Sequence, residues 1–299
     1  MVDGAKAFLG PMRLPFVILT PACVLAGIGT AAWASGGVNP LQLVLVLVGA
    51  IAAHICVNAF NEYFDFKSGL DTKTIKTPFS GGSGVLPARP ALARAALIIA
   101  WTSFAVAAGV GLYFVVARGW GLLPLGIVGL FLTYAYTVWF TRNPFLCLVS
   151  PGLGFGVLMV IGTHFALTGR YSWTSFVASL VPFFLVNDLL LLNQFPDVEA
   201  DRSVGRRHFP IAIGRPASAI IYSAFLLLAY LSIAAGALLK VLPACGLLGL
   251  GTLPLAVLAG QGAIRKADDP KGLAPFLGMN VLINILTPTL LGVGLLLAA

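Results

Sequence analysis

An all-α fold, a single bundle of nine membrane-crossing helices, is what this sequence predicts. Three observations carry that reading: scarce charge, nine long apolar runs, and a lopsided distribution of basic residues. Of 299 residues, 59% are hydrophobic and 9% charged, against about 25% charged in ordinary soluble domains. A water-soluble fold cannot hide that much apolar surface. About 20 apolar residues suffice to cross a hydrocarbon core of about 30 Å as a helix.

Taken in order, the expected spans are 14–34, 41–64, 92–117, 120–140, 145–167, 174–195, 211–236, 243–263 and 274–298. The first run is too long for the core of a cleaved leader and is followed by further spans, so it is expected to stay. With the spans drawn, 15 of the 18 Lys and Arg fall at the N-terminus or in the even-numbered connections, and only Arg118, Arg170 and Lys240 lie opposite. The positive-inside rule then puts the N-terminus and the even connections in the cytoplasm, with the chain in the cell membrane (the inner membrane in a bacterium or archaeon). The same split accounts for the net charge of +8 without a nucleic-acid partner. No composition shift divides the chain, so residues 1–299 read as one membrane domain. The cysteines, Cys23, Cys56, Cys147 and Cys245, stand singly in apolar runs and suggest neither a disulfide framework nor a metal spacing.

Chemistry concentrates at two cytoplasmic helix ends. The second span closes on Asn-Ala-Phe-Asn-Glu-Tyr-Phe-Asp-Phe-Lys-Ser-Gly-Leu-Asp, Asn58 to Asp71, and His54, Asn58, Asn61 and Asp65 recur at spacings that place them on one helix face. A carboxylate within a membrane helix costs roughly 2.5–3.5 kcal/mol on insertion scales, so it normally faces a cavity or a partner. The sixth span closes on Asn193 and continues through Asp197 and Asp201 to His208, repeating the Asn-x-x-x-Asp spacing. Asp197 and Asp201 are neighbours if a helix persists past Pro196 or restarts after it.

Two Asn/Asp clusters on one membrane face suggest a carboxylate cage for Mg2+, whose hard oxygen ligands are typically one or two carboxylates plus substrate phosphates. Lys67, Lys73 and Lys76 beside the first cluster, with Arg202, Arg206 and Arg207 beside the second, suit a diphosphate. Each also reads as a plain positive-inside charge.

These residues resemble the UbiA superfamily of intramembrane prenyltransferases, nine-helix proteins with two Asp-rich motifs after the second and sixth helices. The resemblance implies that Asn61, Asp65 and Asp71, with Asn193, Asp197 and Asp201, form the catalytic motifs, the four aspartates holding Mg2+ and an isoprenyl diphosphate. It puts His54 and Asn58 deeper in the cavity, near the reacting carbon or the acceptor. Glu62 stands where an Asp is common. The run Tyr134 to Arg142 is similar to the family's Tyr and basic residue near the diphosphate, through Tyr136 and Arg142. Asp188 in the sixth span is a cavity candidate, and His164 in the fifth an interhelical contact.

The six-residue step from Asp65 to Asp71 and the run Asp197 to Gly205 resemble the menaquinone branch, whose aromatic acceptor is 1,4-dihydroxy-2-naphthoate. Gly205-Arg206-Arg207-His208 departs from that branch's usual Gly-Lys-x-Thr, which leaves 4-hydroxybenzoate or another quinone or lipid precursor open as acceptor. The implied chemistry is a dissociative substitution: charge on the departing diphosphate is stabilised and the electron-rich ring attacks an allylic cation. Aromatic faces of Phe60, Phe64 or Tyr136 would steady that cation if they line the pocket.

Two rivals make different demands. CDP-alcohol phosphotransferases gather their aspartates into one run, whereas here the clusters lie about 130 residues apart. A transporter would place its polar residues near the bilayer midplane, not at one face.

Overall fold

The computed structural model describes residues 7–74 and 81–299. Lys76 therefore lies outside the described residues. The helices are α1 (Leu19–Ser35), α2 (Pro40–Ser68), α3 (Ala93–Arg118), α4 (Leu123–Val138), α5 (Pro144–Thr168), α6 (Trp173–Asn193), α7 (Arg215–Leu238), α8 (Ala244–Arg265) and α9 (Pro270–Leu297). Among the described residues, eight spans are long and apolar enough to cross a membrane by themselves. The ninth is α1 taken with the preceding segment Ala7–Val17, bent against it by 40°. The expected order of spans is met, with ends shifted by a few residues.

Local chemistry sets where the helices start. Asn39 and Asn143 accept hydrogen bonds from the first backbone N–H groups of α2 and α5, each followed by Pro at the first helical position. Ser172 and Asp269 cap α6 and α9 in the same way. Such caps contribute about 1 kcal/mol each. Gly69, at φ 75°, ends α2, four residues beyond the expected position, so Asp65 lies in its last turn.

Pro151 breaks the regular pattern of α5, which runs as a π-helix over Leu153–Ile161. The Gly152 N–H donates instead to Asn187 Oδ1 on α6 at 2.6 Å. Inserted π turns of this kind are common at functional sites, and Gly154, Phe155, Leu158 and Met159 of this one line a cavity. Close helix approach relies on glycine elsewhere too: a Cβ on Gly292 of α9 would stand 2.7 Å from the Leu25 backbone of α1, the small-residue contact by which membrane helices pack.

The main apolar core joins α6 to α9, through Leu185, Tyr222, Ile233, Leu277 and Ile283. The outer surface is apolar as well, with Val116, Trp120, Trp173 and Leu238 among the most exposed side chains, as lipid contact demands. Between α2, α3, α4 and α5 lies a cavity of about 680 Å3, also walled by residues of α1, α6 and α9. The polar stripe of α2 faces it through His54, Asn58 and Asn61.

Because a side chain at Gly152 would run into the Phe183 carbonyl oxygen and the Asn187 amide, Gly152→Val is expected to lower stability by about 1–3 kcal/mol. Gly111→Ala, whose Cβ meets nothing within 4 Å, is expected to be neutral; thermal unfolding in detergent compares the two.

Candidate active site

The two acidic ends meet. Asp65, 6% exposed, projects from the last turn of α2. After α6 the chain turns through Pro196 and restarts as a short helix, Val198–Ser203, with Asp197 at its N-cap position and Asp201 buried within it. Gly205, at φ 80°, then reverses the chain, and the Arg206 N–H returns to the Asp201 carbonyl at 3.1 Å.

This reversal inserts the Arg206 guanidinium between the motifs. Its Nη2 pairs with Asp65 Oδ1, and its Nη1 with Asp201 Oδ1 at 3.1 Å. His208 Nε2 lies 3.0 Å from the other Asp201 oxygen. Burial works against charge on Arg206, but Asp65 and Asp201 more than offset it and hold the guanidinium's pKa above its ordinary value. The Arg207 N–H donates to the Thr141 carbonyl at 2.8 Å, tying this turn to the end of α4.

Glu62, fully buried, is held differently. It accepts from Arg13 Nε at 2.6 Å, and from the Ser83 N–H and hydroxyl at 2.6 and 2.7 Å. It thus fastens the N-terminal segment and the Gly81–Gly84 turn to α2. A Cβ on Gly82 would stand 3.1–3.3 Å from Glu62, Asp71 and Arg13, so this turn lies directly over the acidic cluster. Burial, with the charges of Asp65 and Glu62, pushes the Asp71 carboxyl up to about 7, and Asp71 Oδ2 has no hydrogen-bond partner among the described residues.

The other expected site residues divide by depth and face. Asn58 donates to the Met12 carbonyl at 3.0 Å and Asn61 to the Thr137 hydroxyl at 3.3 Å. His54 Nδ1 pairs with the Thr20 hydroxyl at 2.7 Å, its ring edge-on to Phe155. Asn193 and Tyr136 line the cavity with them. Lys67, Lys73, Arg142 and Arg202 are exposed; Lys67 lies over the Tyr63 ring and Arg202 pairs with Glu199. Asp188 is fully buried and is not among the cavity-lining residues, and neither of its carboxyl oxygens is hydrogen-bonded among the described residues. Phe60 and Phe64 stack among Trp101 and Tyr134 instead of facing the cavity. His164 makes the expected interhelical contact, to the Thr30 hydroxyl of α1 at 3.0 Å.

Sequence reasoning overlooked Arg13, Ser83 and His208. Arg13 reads as one more positive-inside charge, yet it lines the cavity and holds Glu62. The fit to a divalent cation is favourable in chemistry: hard carboxylate oxygens, an Asp71 oxygen unpartnered among the described residues, and an Asp71 carboxyl raised by burial and then by its acidic neighbours. No three His, Cys, Asp or Glu side chains among the described residues converge to cage a bare ion, which suits a metal completed by ligand oxygens.

Known proteins are similar in sequence and in fold. The sequence profile described as the UbiA prenyltransferase family matches residues 21–285, a stretch that holds both acidic ends. A 1,4-dihydroxy-2-naphthoate octaprenyltransferase from Bacillus subtilis (strain 168) is 29% identical over 197 residues, 65% of this chain and 62% of that enzyme's length. One of the same description from Mycobacterium leprae (strain TN) is 27% identical, covering 92% of this chain and 89% of its own. In fold, the chain is similar to a UbiA homolog from Archaeoglobus fulgidus bound to DMAPP and Mg2+, with a TM-score of 0.64 and 15% identity, over 96% of this chain and 99% of that one. With its two acidic ends meeting inside the matched stretch, the chain belongs to the UbiA prenyltransferase family.

Proposed function

We propose that this protein transfers a polyprenyl group from an isoprenyl diphosphate to 1,4-dihydroxy-2-naphthoate, a step in menaquinone biosynthesis. The observation that carries the reading is the meeting of two acidic helix ends, from α2 and α6, beside a deep apolar cavity. An apolar cavity suits a hydrocarbon tail, and a cluster of carboxylates and guanidinium suits a diphosphate with a divalent cation. The acceptor follows from the two relatives described as octaprenyltransferases of that naphthoate.

Asp65, Asp71, Asp197 and Asp201 would hold Mg2+; the UbiA homolog from Archaeoglobus fulgidus bound to DMAPP and Mg2+ supports a metal requirement. When bound, the metal supplies Lewis-acid neutralisation of charge on the leaving diphosphate. Arg206 and Arg13, both inside the acidic cluster, contribute fixed positive charge to the same oxygens. The cavity excludes water from the allylic centre, and the Tyr136 ring, which lines it, offers a π face to developing positive charge. The basic loops support an orientation with this end of the bundle, and the N-terminus, at the cytoplasmic face of the cell membrane. The whole chain works as one domain in this reading, since the site draws on elements from Arg13 to His208.

Purified protein offered polyprenyl diphosphates with naphthoate or benzoate acceptors, with Mg2+ or a chelator, is expected to give a prenylated naphthoate only with the metal. Asp65→Asn and Asp197→Asn are each expected to abolish turnover while the protein still folds, Asp65→Asn with a lowered melting temperature because it removes a buried partner of Arg206; near-normal activity in both contradicts the site assignment. Arg206→Gln is expected to lower kcat/KM by about 10²-fold or more, measured in the same assay.

A further inference from the structure

Glu62 stands in the first acidic motif, yet both of its oxygens are engaged by protein donors. It is fully buried. Oε1 accepts from Arg13 Nε and from the Ser83 N–H, each at 2.6 Å, and Oε2 accepts from the Ser83 hydroxyl at 2.7 Å. Donors from the segments before and after α2 thus converge on one carboxylate.

Arg13 is gripped at one edge only. A guanidinium carries several N–H donors in a planar fork, and Glu62 takes the one on Nε. Among the described residues neither Nη nitrogen of Arg13 has a hydrogen-bond partner. The side chain is 19% exposed and lines the cavity. A Cβ built on Gly82 would lie 3.3 Å from Arg13 Nη2, 3.2 Å from Asp71 Oδ1 and 3.1 Å from Glu62 Oε1, so the free edge of Arg13 and the Asp71 carboxyl border one small space beside the Gly81–Gly84 turn. The backbone of Arg13 is left-handed, at φ 48°, which is unfavourable for any residue but glycine and is kept most often at active sites and ligand clamps.

We infer that Glu62 is a positioning residue: by holding Arg13 Nε it turns the Nη edge toward Asp71 and the cavity, where that edge donates to the diphosphate. The inference rests on the diphosphate reading above. A carboxylate that ligated the metal would act through its charge, whereas one that positions Arg13 acts through its acceptor oxygens. Glutamine keeps the acceptor, since its Oε1 can take both Arg13 Nε and the Ser83 N–H while its amide donates to the Ser83 hydroxyl. Methionine keeps the volume and supplies no comparable acceptor.

The test is equilibrium binding of magnesium pyrophosphate to the full-length protein in detergent. Glu62→Met is expected to weaken it at least about tenfold, as loss of a group that supports a ligand-binding side chain does, while Glu62→Gln keeps most of the native affinity. In an Arg13→Gln background, itself weakened, adding Glu62→Met is expected to cost less than about twofold more. Where Glu62→Met does not fold, Ser83→Ala, which removes the donor on Oε2, carries the same comparison: a loss that disappears in the Arg13→Gln background. Native affinity in Glu62→Met, a Glu62→Gln variant as weak as Glu62→Met, or a loss undiminished in the Arg13→Gln background overturns the inference. The functional reading fails on a different measurement, the absence of any prenylated naphthoate from native protein.

Discussion

The contact of Arg206 with Asp65 and Asp201 is the interaction on which the site depends. Two carboxylates from helices distant in sequence are buried side by side, where like charges repel strongly. A guanidinium between them turns that repulsion into attraction in both directions. His208 on the far oxygen of Asp201 fixes the carboxylate's orientation, and Gly205 supplies the reversed backbone that brings Arg206 back to the helix it follows. Without the bridge, α2 and α6 would end in uncompensated buried charge, among the costlier faults a protein interior can hold.

The membrane explains why the polar groups sit where they do. Nothing polar is tolerated against lipid, so polar side chains turn inward to the cavity or to a neighbouring helix. His54 leans on Thr20, Asn187 satisfies the N–H freed at the α5 break, and Asn280 pins Asn284. The result is a largely apolar cavity with a few polar side chains in its wall, beside the cluster of Asp65, Asp201 and Arg206.

The spans were legible because hydrocarbon leaves few alternatives to long apolar helices, and the stripe of His54, Asn58, Asn61 and Asp65 was legible because helical periodicity fixes a face. What escaped the sequence depends on contacts between distant segments. Glu62 looked like a displaced motif carboxylate, but Arg13 and Ser83, from segments before and after α2, make it a fastening point. Asp188 is fully buried and is not among the cavity-lining residues, a placement set by packing that no local pattern reveals. Arg142 and Arg202 sit beside the motifs in sequence and point to solvent or headgroups, since proximity along the chain does not set direction. The bend before α1 was missed as well; it falls at Ile18, between Ala7–Val17 and Leu19–Ser35.

The claim that one ligand is gripped by both motifs at once is tested most directly by a double-mutant cycle. Affinity for magnesium pyrophosphate is measured in native protein, Asp65→Asn, Asp201→Asn and the double variant. A shared site predicts strong coupling, the double variant losing little more than the worse single one. Losses that add to within about 0.5 kcal/mol would mean two independent sites and would contradict the account.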